Sequence, residues 1–398
     1  MKKLLALILA GLITASVFTA CGSSQSSSTG GAQTSQPASS SEPEEPPYNP
    51  DPLTGLENVG QYVDGQRFVA VMVNNISNNA ANDARPQWGL SEAEVLVESK
   101  VEGGITRFMA LYPNVENLPE QIGPVRSARH QFFQLILPWQ ALYVHIGEST
   151  VQSEYRTNYE YGNLDINLDK YGFPRDDARR ATGVNIEHTA YTNSEYLTDI
   201  IEKNDIDTER EYGSTFFNFR NYNLEPRTLE GDSAVSIDVV HSSTYRTYFE
   251  YDASSAKYLM SQYSARTGQI SPSVDANNNE QLAFDNVILV LADIETHPNY
   301  VGNSYDIQDV DYSSGGVGYY FYGGRVEKIR WQKPTPQSVM TFTDGAGHEI
   351  PVEINPGKTY LGIVDLDMAD QCIYREDTSA GPESVSIDSA ANTDFVDE

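Results

Sequence analysis

Between Ala234 and Val364 the chain repeats one local pattern: a short run rich in Val, Ile, Tyr and Phe, then a turn. The runs are Ala234 to Val240, Tyr245 to Tyr251, Lys257 to Tyr263, Asn286 to Leu291, Gly318 to Tyr322, Val326 to Trp331, Val339 to Thr343 and Thr359 to Val364. Gly315-Gly316, Gly323-Gly324, Asp344-Gly345 and Pro356-Gly357 stand between them. β-branched and aromatic residues suit a pleated, half-buried surface, and glycine pairs suit reversals. This half is therefore predicted to be a mostly antiparallel, β-rich domain spanning 233–372.

The preceding part reads differently. Arg67 to Val73 is a continuous apolar run, followed by a loop of Asn74, Asn75, Asn78, Asn79, Asn82 and Asp83. Such a run fits a strand buried on both faces. Ser91 with Glu92 and Glu94 suits the first turn of a short helix. Val95 to Val101 alternates, Gly103-Gly104 turns, and Ile105 to Tyr112 returns, so a hairpin is expected. Ser127 is read as the cap of a helix that passes Phe132 and Phe133 and stops near Pro138. Ala141 to Gly147 is another strand, with helices at Val151 to Arg156 and Ser194 to Lys203 flanking an irregular stretch from Asp165 to Arg180. Strands alternating with helices give a mixed α/β domain over 51–208. The fold class is α+β, with a linker at 209–232 and no internal repeat.

Both ends fall outside these domains. Met1-Lys2-Lys3, the apolar stretch Leu4 to Phe18, and Thr19-Ala20-Cys21 have the order of a lipoprotein signal peptide, residues 1–21, with Cys21 as the acylated residue. Residues 22–50 are mostly Ser, Gln, Gly, Thr and Pro, closing with a Glu- and Pro-rich run, too polar to offset ordering entropy, and are expected to be a disordered tether. A coil of that length spans about 30 Å. Residues 373–398 are read as an acidic disordered tail. Cys372 is the only other cysteine, so an acylated Cys21 leaves no intrachain disulfide.

The formal charge is -30, which repels nucleic acid at long range and excludes it as a partner. Within that acidic chain the first domain is rich in arginine: Arg67, Arg85, Arg107, Arg126, Arg129, Arg156, Arg175, Arg179 and Arg180 outnumber Lys100, Lys170 and Lys203. The guanidinium fork matches carboxylate and phosphate. Arg126 and Arg129 also fall at an expected helix start, where the macrodipole disfavours cations. Either an internal acid such as Glu98 or Glu102 neutralises them, or an anionic ligand does.

Other chemistry finds less in the sequence. Four strand residues at ~3.3 Å each put Glu98 and Glu102 about 13 Å apart, beyond the ~5–9.5 Å of a glycosidase pair. The six histidines show no metal-ligand spacing, Ser314 interrupts a calcium-like start at Asp309, and serine-hydrolase and phosphate-loop motifs are absent. No metal and no cofactor are expected.

The chain resembles the YerB-like lipoproteins of Gram-positive bacteria over about Asp51 to Asp367. The resemblance rests on Met72-Val73-Asn74-Asn75, Ala84-Arg85-Pro86-Gln87, Val101 to Ala110, and Ile122-Gly123-Pro124-Val125-Arg126-Ser127-Ala128-Arg129. Phe173-Pro174-Arg175, His188 with Tyr191-Thr192, Ile329 to Lys333 and Asn355 to Thr359 extend it. Where the family pattern has Pro-His-Asn, this chain has Glu187-His188-Thr189. The resemblance implies two domains of unknown function and a location on the outer face of the cytoplasmic membrane. It implies no activity.

The preferred reading is a lipid-anchored, non-catalytic binding protein. Its N-terminal pocket of Arg85, Glu102, Arg107, Arg126, Ser127, Arg129, Arg175 and His188 would take an anionic cell-envelope ligand or a protein partner. The alternative is an envelope hydrolase or transferase acting on glycan or phosphodiester bonds, using Glu102 with His188 or His145. A purely structural interaction protein is the third reading.

Overall fold

A computed structural model describes residues 48–62, 65–210, 215–302, 305–345, 350–376 and 384–387. The expected signal peptide with Cys21, nearly all of the expected tether and most of the expected tail lie outside these residues. The described part is built on two sheets.

The larger sheet has 11 strands. From one edge it runs 341–344, 325–332, 316–322, 286–296, 359–365, 95–100, 106–112, 69–74, 142–145 and 165–167, with 308–311 added beside 286–296. Strands of both sequence halves therefore share it. They meet where Val95–Lys100 pairs in parallel with Thr359–Asp365, Leu96 opposite Tyr360. The smaller sheet of 7 strands belongs to the C-terminal half and is antiparallel, including 236–240, 246–252 and 257–264.

The alternation read in the sequence places side chains on both faces of the large sheet. Val69, Val71, Val73, Leu96 and Phe108 enter one core, packed with Ile237, Phe249 and Phe284 of the smaller sheet. Phe68, Ala70, Met72, Val95 and Val97 enter the other, with Phe132, Phe133, Tyr143 and Trp331. Period-two alternation with both faces covered gives fully buried strands. The α+β class and the division into a mixed first half and a β-rich second half stand, as does the hairpin of Val95–Lys100 and Thr106–Tyr112.

Four local expectations are corrected. Ser91 starts no helix, because Asp275 accepts from Gly89 N, Ser91 N and Ser91 Oγ at 2.9 Å each and fixes the segment as a turn. The helix expected from Ser127 begins at His130, with Arg129 in the cap position and no side-chain cap. Ser127 is instead part of an extended segment. The stretch 209–232 is no bare linker: Phe216, Phe217 and Phe219 are buried, and Phe216 packs on Phe68 and Trp139. Strand pairing also continues past Cys372. Ile373–Arg375 pairs with Ser236–Asp238 on one side and Ser384–Ser386 on the other, and Ile387 is buried.

Candidate functional site

Val69–Asn74, Leu142–His145 and Asp165–Asn167 are neighbouring and parallel. Their carboxyl ends open on one edge of the sheet, the side on which open sheets with parallel strands hold ligands. The chain from Ile122 to Arg129 crosses this edge. Val125 bridges Val73 and Ala128 bridges Glu148, while Arg126 N donates to Met72 O (2.9 Å) and Ile146 N to Arg126 O (3.1 Å). Gly123 admits this path. A Cβ there would stand 2.7 Å from Ala190 O.

The crossing segment brings Arg126, Ser127 and Arg129 to the sheet edge, but their side chains do different things. Glu102, on a short 3-10 turn, faces Arg129 with both oxygens, Oε2 accepting from Nη2 at 3.0 Å. Arg107 adds a third cationic contact, its Nη2 lying 3.8 Å from the same Oε2, and donates Nη1 to Ser127 O at 2.6 Å. Burial pushes the Glu102 carboxyl up, yet Arg129 and then Arg107 outweigh it and hold the carboxyl below its ordinary range. Burial, followed by repulsion from Arg129, depresses Arg107 strongly. These residues form a closed, buried ion cluster. Ser127 contributes only its carbonyl to it.

Arg126 points outward. It meets Glu187 at 3.3 Å, with side-chain exposures of 28% and 44%. His188 lies behind the pair, its Nδ1 accepting from Asn74 Nδ2 (2.9 Å) and its Nε2 facing Asn82 Oδ1 (3.4 Å) and Glu187 (3.6 Å). Burial lowers its pKa to about 4; Glu187 opposes this, while Arg126 and Arg179 add to it, so the ring is neutral at pH 7. Arg175 stands near Arg126, donates to Ile186 O and Thr189 Oγ1, and lies 4.1 Å over Phe173. It makes no ion pair among the described residues.

Arg85 is apart from these, held by neutral acceptors. Its Nε donates to Asn75 Oδ1 (2.9 Å) and its Nη1 to Tyr263 O (2.8 Å). Asn75 also accepts from Gln87 Nε2 (2.9 Å) and donates to the fully buried Glu98. Glu98 is not the counter-charge expected from the sequence. It accepts from hydroxyls and an amide, while Lys100 pairs with Asp365. The residues that the motif reading passed over are Asn74, Asn75, Gln87 and Arg179. Three of them sit inside Met72-Val73-Asn74-Asn75 and Ala84-Arg85-Pro86-Gln87, so the signal was there, in uncharged side chains.

His145 sits between Gly147 O (2.8 Å) and Asp165, leaving no ring nitrogen free. His145, Glu148 and Asp165 bring ligand atoms within 4.8 Å of one another. Arg156 holds both Glu148 oxygens at 2.8 and 3.2 Å and faces Asp165 at 3.5 Å, so one cation already sits against the two carboxylates.

Residues 53–207 match the N-terminal domain, and residues 235–361 the C-terminal domain, of the protein family of unknown function DUF3048. The chain is 29% identical over 320 residues to "Putative lipoprotein YerB" of Bacillus subtilis strain 168, covering 80% of this chain and 87% of that one. It is also similar to the crystal structure of the YerB protein from Bacillus subtilis, with a TM-score of 0.63 and 26% identity, over 79% of this chain and 96% of that one.

Proposed function

Since the chain belongs to the DUF3048 family, with both of its domains in order, we propose that it is a lipid-anchored extracytoplasmic protein that binds an anionic cell-envelope ligand without catalysis. The similarity to a lipoprotein supports the anchor, as does the order of basic, apolar and Thr19-Ala20-Cys21 segments at the N-terminus. The observation that carries the binding reading is local charge. Arg107, Arg126, Arg129 and Arg175 gather at one sheet edge where, among the described residues, only Glu102 and Glu187 are ion-paired to them, in a chain of formal charge -30.

The geometry divides these residues by role. Glu102 holds Arg129 in a two-point ion pair and faces Arg107, whose hydrogen bond to Ser127 O ties the cluster to the crossing segment. Arg126 and Arg175 retain donors toward solvent and would meet the ligand, with neutral His188 buttressing Arg126's partner Glu187. The hydrolase alternative needs Glu102 as a free carboxylate and His188 or His145 with a free lone pair. All three are engaged within the protein. The test is binding of the full chain to purified anionic wall polymer. Arg126→Gln with Arg175→Gln should remove binding and leave the unfolding midpoint close to the parent's; undiminished binding contradicts the reading.

A further inference from the structure

The parallel strands Leu142–His145 and Asp165–Asn167 end side by side, with His145 opposite Asn167. Their carboxyl ends bring one ring nitrogen and two carboxylates together: ligand atoms of His145, Glu148 and Asp165 all lie within 4.8 Å of one another. His145 is fully buried, whereas Glu148 and its partner Arg156 reach solvent. The cluster therefore has a closed floor and an open side.

The surroundings of the ring decide which nitrogen is offered. Gly147 has a φ of +67°, and the turn it makes sets its carbonyl 2.8 Å from Nδ1 of His145. A carbonyl only accepts, so Nδ1 carries a hydrogen and Nε2 is the atom directed at Asp165 Oδ1. An ionised carboxylate has no hydrogen to give, so something positive, a proton or a metal ion, must lie between Nε2 and Asp165. An imidazole whose other N–H is held by a backbone carbonyl is also the form in which histidine ligates metals. Gly147 N donates to Asn167 Oδ1 at 3.2 Å, which ties the orienting turn to the neighbouring strand.

We infer that His145, Glu148 and Asp165 form a zinc site. One imidazole nitrogen and two carboxylates suit zinc, which takes three protein ligands and keeps a fourth position for water or a ligand oxygen. Calcium and magnesium prefer oxygen alone. On binding, Nε2 gives its proton to solvent and Nδ1 keeps its own, so one proton leaves for each zinc bound. Arg156 is the competitor. It faces both carboxylates in the metal-free chain, and its side chain, 27% exposed on the helix Thr150–Asn158, turns to solvent when zinc takes them. The inference stands apart from the anionic-ligand reading, since neither Arg126 nor Arg175 takes part.

Calorimetric titration of the metal-stripped full chain with zinc chloride tests this. One zinc per chain is expected, bound in the presence of excess calcium. His145→Gln and Glu148→Gln should each weaken it about tenfold or more, and Glu148→Gln, on the solvent side, carries the comparison if His145→Gln does not fold. Arg156→Gln should strengthen it severalfold, because it removes a cation that competes for both carboxylates. That sign separates a metal site from an ion cluster that only supports the fold, for which Arg156→Gln leaves zinc affinity unaltered. Asp199→Asn, taken from the exposed pair with Lys203, monitors adventitious binding by surface acids and should leave the affinity as it is. Cobalt in place of zinc should give the visible absorption of a four-coordinate ion, absent from Glu148→Gln. The inference is overturned by the absence of stoichiometric zinc, by undiminished affinity in Glu148→Gln, or by equal or weaker affinity in Arg156→Gln.

Discussion

Asn75 donates its amide to Glu98 Oε1 across 3.1 Å, and that contact decides where Arg85 points. Glu98 also takes Thr106 Oγ1 (2.7 Å), Thr247 Oγ1 (2.7 Å) and the Tyr360 hydroxyl (2.8 Å). Thr106 comes from the first half, and Thr247 and Tyr360 from the second, so one buried carboxylate gathers donors from both. Glu98→Gln turns an acceptor into an amide facing donors. It should lower stability by about 3 kcal/mol, read as a lower denaturant midpoint at unchanged m. An unchanged midpoint would remove Glu98 from this role.

The same carboxylate gives the molecule an acid limit. Burial works against its charge, but His241, Thr106 and Thr247 outweigh burial and bring its pKa to about 2, from an ordinary 4.5. A depressed carboxyl contributes stability that is complete above the ordinary value and is lost as pH falls toward the folded one. Unfolding midpoints measured from pH 5 to pH 2 should therefore drop more steeply for the parent than for Glu98→Gln. Parallel profiles would contradict this.

Glu94 has the opposite sign. Burial, then Asp51, raises its pKa to about 9 from 4.5, with Lys358 opposing. Its contribution is fully present below pH 4.5 and is lost as pH rises toward 9. Glu94→Gln removes that slope, so its stability relative to the parent should increase steadily between pH 5 and pH 9. A difference constant with pH would mean that Glu94 is ionised in the folded state.

Glu102 is assigned a structural role. Glu102→Ala strands Arg107, 5% exposed, beside Arg129 with no carboxylate between them. Breaking a buried ion pair from one side costs about 3 kcal/mol or more. A catalytic role predicts a different result for Glu102→Gln: normal stability with lost turnover of wall material. Thermal unfolding of the two variants beside the parent distinguishes the roles.

Phe217→Ala tests whether 209–232 is core. Phe217 is buried and contacts Phe216, Phe219 and Phe342, the last at a centroid distance of 5.8 Å. Truncating a buried phenylalanine costs about 3–5 kcal/mol. A loss under about 1 kcal/mol would return the stretch to linker status.

Which features could be read in advance follows from the range of the forces involved. Strands such as 246–252 and 325–332 were legible because alternation and turns are local signals. The parallel pairing of Val95–Lys100 with Thr359–Asp365 was not, since no local pattern specifies a partner more than two hundred residues away. The same holds for Ser91, whose helix-start signal is overridden by Asp275, a residue distant in sequence. Among the site residues, arginine abundance pointed to the right region. It did not separate Arg129, closed on Glu102, from Arg126, open to solvent, because that division depends on which acid folding brings near. Asn75 carries no charge to mark it, and its importance comes from holding the Arg85 guanidinium on one side and the Glu98 carboxylate on the other.

The central claim is that the arginine edge binds an anionic envelope ligand. Its most direct test is the affinity of the full chain for purified anionic wall polymer, measured against salt concentration for the parent and for Arg126→Gln with Arg175→Gln. The account predicts affinity that falls steadily with salt for the parent, as counter-ions released on binding become harder to release, and a weak, flat dependence for the double variant. Salt-independent binding by the parent, or identical curves for both proteins, would contradict it.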